Sequence, residues 1–382
     1  MARKNITNLH NFATDRDRIY IAHLNVRSLS GSSDSLCQFF FHDKFDVLIL
    51  TETWLTSETP DDEFLFDGFK LFRRDRPNGS PHGGILVYAR EGLNPKLLED
   101  FPNNTFQKLE ILPFTIGSPF CKCMTILATY RPPDTPATDT NSFHETLSRN
   151  CKNDTLIIGD VNLNLLNKTD SKSKFIKNLQ CMNFHQFITE PTRITEHSSS
   201  LIDHIHCNAR HRISKASVLH VSVSDHSLIW CSIYNNKTSP SSQKQIPPVQ
   251  LHYRTQIHMI DPTTMLEDAE KIFKKMPTSD DPVIAYNEFE TTTSDFINKH
   301  LPLKTYRPYK TKKKPWMNAG NLELIKERDY FYAQAVNTQS EDHWRIFRFF
   351  RNLVKKIIQK QKREFYCSKI KQLHDAPKQL WC

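Results

Sequence analysis

The sequence predicts an α/β (α+β) protein with a sheet-rich body and a helical, basic C-terminal extension. Three observations lead there. Short apolar runs, many of them β-branched, recur over the first 235 residues, and several end in a carboxylate, an amide or a phenol. Segments of helical period lie between these runs and after them. The charge is uneven: from Lys304 to Cys382 there are 19 Lys and Arg against seven Asp and Glu, so this stretch carries +12 and the first 303 residues −3. Such asymmetry points to a polyanion partner at the C-terminal end.

The chain has 382 residues, 38% apolar with 25 Phe, which is ample for a sizeable core. No apolar run approaches the 18 or so residues of a membrane span, so no membrane partner is expected. The N-terminus lacks the apolar segment of a secretory signal. Nine scattered cysteines, odd in number and without zinc spacing, suit reduced thiols. A nuclear or cytoplasmic protein, not a secreted one, is expected. Four parts are expected: a flexible leader over 1–15, the body over 16–235, a linker rich in Asn, Lys, Ser, Gln and Pro over 236–250, and a helical basic connector over 251–382.

In order, Arg18–Asn25 predicts a strand ending on Asn25. A helix carrying Leu36, Phe39 and Phe40 follows, with Phe45 as aromatic partner. Asp46–Glu52 predicts a buried strand with Glu52 at its end. Phe64–Arg76 is strand-like and closes on Arg73 and Arg74. A turn-rich loop over 77–83 leads to a strand over 84–89. Lys108–Ile116 and Cys123–Tyr130 predict paired strands, the second stopped by Pro132 and Pro133. Phe143–Arg149 and Lys174–Asn183 predict helices, and Leu201–His206 a strand with Asp203 inside it. Before the last strand, which ends at Tyr234, Ser224, Asp225 and His226 precede the apolar run. A final strand antiparallel to its neighbours would bring that start to the rim where the others finish. Residues 251–300 are weakly helical. Asn321–Ala335 and His343–Lys371 are helical, and the second shows an apolar stripe from Trp344 and Phe347. Ten Lys or Arg lie on it, with Glu364 the one acid between Trp344 and Lys371. Either it is an amphipathic helix with a solvated basic face, or it contacts a polyanion.

The stretch Thr155–Asn162 organises the rest. Leu156, Ile157 and Ile158 suit a strand buried on both faces. Gly159 breaks the run, and Asp160 and Asn162 follow on one side. Ligands of open α/β sheets gather at such rims, and an oxygen-rich pair suits a hard cation such as Mg²⁺. The plainer alternative is a strand ending in a polar turn. Together the rim residues are Asn25, Glu52, Tyr130, Asp160, Asn162, Asp203, Asp225 and His226. Carboxylates that hold a divalent ion, a His oriented by a carboxylate and donors for phosphate oxygens point to metal-assisted phosphate chemistry. On residue types alone, His226 is either a donor to the phosphate or a base. Asp203 would orient it, and Asp160 would bind or deprotonate the attacking water.

The segments Leu24–Leu29, Leu50–Leu55, Thr129–Pro133, Gly159–Asn162, Leu201–Ile205 and Ser224–His226 resemble, in order, the endonuclease/exonuclease/phosphatase superfamily. More narrowly they resemble the apurinic-type endonuclease domain of non-LTR (LINE-type, jockey-like) retrotransposons, over about residues 16–235. The resemblance implies a four-layer sandwich, two packed mixed β-sheets flanked by helices, that cuts DNA with Mg²⁺, Mn²⁺ being a possible substitute. It implies that Glu52 is the main metal ligand, Asp225 a second metal-site carboxylate, and Asn25 a support. Asp160 would position or activate water, and Asn162 would orient the phosphate. Tyr130 and His226 would contact the scissile phosphate, with Asp203 orienting His226. Many members carry an acid or amide two places after the first Asn. Here Arg27 stands there, which favours a single catalytic ion.

The tail resembles the connector ahead of a reverse transcriptase in such elements, and the chain is expected to be a truncated copy or fragment that stops before it. Arg27, Arg73, Arg74, Lys312, Lys313, Lys314, Arg348, Arg351 and Lys355 are candidate nucleic-acid contacts, with RNA a further partner for the tail. Two rival functions stay open: a catalytically decayed nucleic-acid-binding remnant, and a phosphoesterase of the same superfamily acting on a small substrate.

Overall fold

Two six-stranded mixed sheets face one another, flanked by helices, in a computed structural model. It describes residues 18–29, 44–66, 68–76, 82–102, 105–118, 121–150, 153–167, 169, 173–234, 251–254, 262–274, 281–300, 303–306 and 315–372. The helix expected around Leu36 to Phe40, the leader, the linker and the loop tip at 77–81 lie outside these residues, as do Lys312, Lys313 and Lys314.

In chain order the strands are β1 (Arg18–Asn25), β2 (Val47–Thr51), β3 (Phe69–Arg74), β4 (Ile85–Arg90), β5 (Lys96–Leu97), β6 (Glu110–Ser118), β7 (Cys121–Tyr130) and β8 (Thr155–Asp160). There follow β9 (His185–Gln186), β10 (Arg193–Ile194), β11 (Ser199–Ser200), β12 (Asp203–Cys207), β13 (Ile213–Leu219) and β14 (Leu228–Tyr234). The first sheet runs β13-β14-β1-β2-β4-β3 and the second β5-β6-β7-β8-β12-β9, while β10 and β11 pair as a separate hairpin. Helix α1 (Ala137–Asn150) starts earlier than its apolar residues suggested, and α2 is Lys174–Cys181.

Period-two alternation explains the layers. On β1, Ile19 and Ile21 face the core between the sheets, whereas Tyr20, Ala22 and Leu24 pack on the first sheet's outer face. Leu156 and Ile158 on β8, Ile205 and Cys207 on β12, and Met124, Ile126 and Ala128 on β7 meet that central core from the second sheet. Phe143 and Leu147 of α1 with Phe175, Ile176 and Leu179 of α2 cover the second sheet's outer face. Each large aliphatic buried in this way contributes about 1.5–3 kcal/mol.

Register then decides where the chain becomes polar. β1 and β2 are parallel and end together, Asn25 beside Thr51. β7 and β8 are parallel and end together, Tyr130 beside Asp160. The antiparallel β12 starts opposite, with Asp203 beside Asp160. β14 is antiparallel to β1, His23 pairing with Ile229, so its start reaches the same rim as expected. Along the inward face each strand passes from aliphatic to polar at one end: Ile19, Ile21, His23, Asn25; Leu156, Ile158, Asp160; Cys207, Ile205, Asp203.

Contact density divides the chain into two units, one of residues 1–239 with 311–382 and one of 240–310. In the first, α5 (Ala319–Thr338) and α6 (Glu341–Gln372) form a helical pair. They pack through Tyr332, Trp344 and Phe347, and Ile194 of β10 joins that cluster. Ser222 donates to Asp329, and Arg348 pairs with Glu196. In the second unit, β15 (Leu251–Arg254) pairs with β16 (Leu303–Tyr306), around α3 (Pro262–Phe273) and α4 (Pro282–His300). The weakly helical expectation for 251–300 missed β15, whose four residues are too few to show a period. Among the described residues no helix is long and apolar enough to cross a membrane.

Gly159 is required for close approach: a Cβ there would lie 1.7 Å from the Thr129 carbonyl oxygen of the neighbouring strand. Gly159→Ala is expected to destabilise the fold by at least about 2 kcal/mol, read by urea unfolding. An unchanged midpoint would contradict this tight β7–β8 contact.

Candidate active site

Asn25 is fully buried at the end of β1, and its Nδ2 donates to Glu52 Oε1 and to Asp160 Oδ2, both at 2.8 Å. Asp160 belongs to the other sheet, so this amide ties the two sheets together at the rim. Glu52 follows β2 with φ 52°, in the left-handed region. That turn carries it out of the strand line toward Asn25. Arg27, Ser28, Trp54 and Asn162 also have left-handed φ, so backbone strain gathers around this rim. The backbone N–H of Asn162 donates to Asp160 Oδ1 at 3.0 Å, and its side-chain amide donates to the Arg131 carbonyl at 3.0 Å.

Asp203 is fully buried and its carboxylate lies 2.9 Å from His226 Nδ1. Burial alone would push the Asp203 carboxyl up, but the His226 imidazole, its hydrogen bond and His23 hold it below the usual range. Burial works against the His226 proton, yet the charge of Asp203 and its hydrogen bond lift that imidazole to about 9. Nδ1 of His226 therefore donates to Asp203. Asp160 moves the other way: burial first, then the Asp203 charge, push its carboxyl up to about 7. Burial, then the charges of Glu52 and Asp160, push the Tyr130 phenol well above its ordinary value, so it remains a donor. Tyr130 stands beside Asp160 in the ladder, with the Arg76 guanidinium 6.0 Å from its ring centre.

The structure thus gathers Asn25, Glu52, Tyr130, Asp160, Asn162, Asp203 and His226 at one rim. Asp225 differs. Its Oδ2 is taken by Arg27 at 3.1 Å and by Arg193 at 2.8 Å. An oxygen held by two guanidinium groups is a poor metal ligand, so Oδ2 does not suit the expected second metal-site role. Arg73 and Arg74 also differ from the expected nucleic-acid contacts. Arg73 bonds Asp61, Asp75 and the carbonyls of Thr56 and Thr59, and Arg74 donates to the Ile111 carbonyl at 2.6 Å. Both are consumed inside the fold. Arg348 keeps an exposed guanidinium although paired with Glu196. The Arg351 guanidinium lies 5.8 Å from the Phe347 ring, and Lys355 is exposed.

Three neighbours, His23, Thr192 and Arg193, were not singled out in the sequence. His23 lies with Nδ1 3.7 Å from Asp203 and Nε2 2.9 Å from Thr51 Oγ1. Burial, against the Asp203 charge, lowers His23 to about 4 and keeps it neutral. Its place two residues before Asn25, on the same strand face, was a readable signal. Thr192 Oγ1 accepts the N–H groups of Ile202 and Asp203, each at 3.1 Å, and so fixes the start of β12. Thr192 and Arg193 lie at the edge of a two-residue strand and carry no periodic signal.

The donors suit a hard divalent cation: carboxylate and amide oxygens, with no thiol among them. One ligand atom each from Asp160, Asp203 and His226 lie within 4.8 Å of one another, a cluster able to hold a metal ion. Because His226 carries a proton shared with Asp203, the carboxylates Asp160 and Glu52 are the better ligands. The raised Asp160 carboxyl marks negative charge that a cation would relieve.

A model of the Endonuclease/Exonuclease/phosphatase family matches residues 22–226. No curated protein matches the chain. Among solved structures, AP endonuclease LMAP from Leishmania major has a TM-score of 0.50 at 14% identity, covering 61% of this chain and 92% of that one. The endonuclease domain of TRAS1, a telomere-specific non-LTR retrotransposon, has a TM-score of 0.46 at 16% identity, covering 58% and 100%. An AP endonuclease from Archaeoglobus fulgidus has a TM-score of 0.45 at 14% identity, covering 57% and 99%. At these identities the likeness is one of fold.

The His226–Asp203 pair has a pH signature in the metal-free protein. A raised imidazole stabilises the fold fully below its unfolded value of 6.5 and loses that contribution as pH rises through about 9. The loss is about 3 kcal/mol for the whole window. Urea unfolding in EDTA at several pH values should therefore show a shallower decline between pH 6.5 and 9 for His226→Gln. Parallel declines would remove the proposed protonation.

Proposed function

The chain belongs to the endonuclease/exonuclease/phosphatase family, and from that footing we propose that it is a divalent-metal-dependent endonuclease that nicks duplex DNA by phosphodiester hydrolysis. One observation carries the reading. Asn25 bridges the carboxylates of Glu52 and Asp160 beside a buried Asp203–His226 pair, an arrangement that supports an acceptor, a cation and a charged donor acting together.

Glu52 and Asp160, aligned by Asn25, would hold Mg²⁺ or Mn²⁺. When bound, the ion neutralises phosphate charge and makes hydroxide accessible near neutral pH. Asp160, aligned by the Asn25 amide, takes the proton of the attacking water. The water oxygen bonds to phosphorus as the bond to the 3′ oxygen breaks, leaving a 5′ phosphate and, after that oxygen takes a proton from solvent, a 3′ hydroxyl. His226, held as imidazolium by Asp203, and Tyr130 donate hydrogen bonds to the phosphate oxygens as charge builds on them. Asn162, locked in its left-handed turn, orients the phosphate. Such a nick exposes the primer end that target-primed reverse transcription needs. The segments Asn25–Leu29 and Thr51–Leu55 and the basic tail support the non-LTR retrotransposon origin.

Supercoiled plasmid is the decisive substrate. Nicking is expected with Mg²⁺, none with EDTA, and a fall of about 10²–10⁴-fold for Asp160→Ala and His226→Ala. A comparable loss is expected for Glu52→Ala. Unchanged nicking by Glu52→Ala and Asp160→Ala would remove the assigned site. Release of inorganic phosphate from a small phosphoester, with plasmid left intact, would favour a phosphatase.

A further inference from the structure

We propose that Arg27 and Arg193 form a subsite for a second phosphate of the DNA strand, beside the one that is cut; the proposal rests on the nuclease reading above. Both guanidinium groups converge on a single atom. Arg27 Nη1 lies 3.1 Å from Asp225 Oδ2, and Arg193 Nε and Nη2 lie 2.9 and 2.8 Å from the same oxygen. Two positive charges share one carboxylate, so the cluster keeps a net positive charge.

The position is tied to the reaction centre from three sides. Asp225 is the chain neighbour of His226, and Arg193 forms a β-bridge to His226. Arg27 donates its backbone N–H to Asn25 Oδ1 at 3.2 Å, and Asn25 is the residue that spans Glu52 and Asp160. Arg27 and Ser28 have φ values of 43° and 93°, two non-glycine residues in succession with positive φ. The backbone N–H groups of Ser28 and Leu29 are bonded to the carbonyls of Glu52 and Thr53, so the turn that presents Arg27 is held by the loop that carries Glu52.

The arginine side chains are 52% and 38% exposed, against 27% for Asp225. They are pinned on one side and open on the other. An ion pair this exposed adds little to stability, whereas a guanidinium with spare N–H donors is suited to bind phosphate oxygens in pairs. A second cation bound through Asp225 Oδ2 would have to displace three N–H donors. The arginine pair supplies fixed positive charge at that place instead.

The test is equilibrium binding of a fluorescein-labelled DNA duplex in EDTA at several salt concentrations, with nicking of supercoiled plasmid in Mg²⁺ run alongside. Arg27→Ala and Arg193→Ala should each weaken binding about five- to tenfold near 100 mM salt and reduce the slope of log affinity against log salt by about 0.9. In nicking, each should raise KM and leave kcat within about threefold. Arg27→Lys and Arg193→Lys should keep the slope and lose part of the affinity, because charge remains and the fork does not. Unchanged slope and KM in the alanine variants, or a loss confined to kcat or to the melting midpoint, would overturn the subsite. If an alanine variant fails to fold, its lysine counterpart decides: affinity equal to that of the unsubstituted chain overturns the proposal. Absence of nicking by the unsubstituted chain would count against the nuclease reading alone, since the binding slopes need no cleavage.

Discussion

The amide of Asn25 holds two carboxylates that would otherwise repel. Its Nδ2 reaches Glu52 from its own sheet and Asp160 from the facing sheet, at equal distance. Buried carboxylates are costly unless their oxygens are bonded, and a primary amide nitrogen, uncharged and with two N–H donors, can serve both with one atom. Because Asn25 itself is fully buried, its position is set by the strand pairing of β1 with β2 and β14. The bridge therefore rests on the pairing of the central strands.

Around that bridge, two carboxyl groups paired across the same ladder are driven apart in their proton affinity. Asp160 and Asp203 face each other on β8 and β12, both buried. Asp203 has an imidazolium partner and stays ionised; Asp160 has an amide and a backbone N–H and is pushed up. Environments that separate neighbouring carboxyls in this way assign them different work. His23 extends the row: Asp203 lies between an imidazole kept neutral and one kept charged.

The edge of the site depends on parts far away in sequence. Arg193 opens β10, and Ile194 beside it packs into the cluster of Tyr332, Trp344 and Phe347 from α5 and α6. The same helices reach Ser222 through Asp329 and Glu196 through Arg348. A region that reads as a basic tail is thus anchored beside Arg193 by the packing of its aromatic residues on Ile194.

Much of this was readable from residue order. Short apolar runs in β1, β2, β7, β8 and β14 announced the strands, and the polar residue at each strand end announced the rim, because a side chain at the end of an inward face has nowhere to point but the mouth of the sandwich. The arginines were not readable. Arg73 and Arg74 look like surface charge until Asp61, Asp75 and the Ile111 carbonyl are brought against them, and Asp225 looks like a metal ligand until Arg27 and Arg193 meet it from 198 and 32 residues away. The sequence by itself determined the longer strands that end at the rim, their polar ends and the chemical type of each group, because apolar runs and side-chain chemistry are local. Only the tertiary structure decided which charges pair with which, since a Coulomb or hydrogen-bonded partner depends on distance in space, and that distance is set by register and packing between elements remote along the chain.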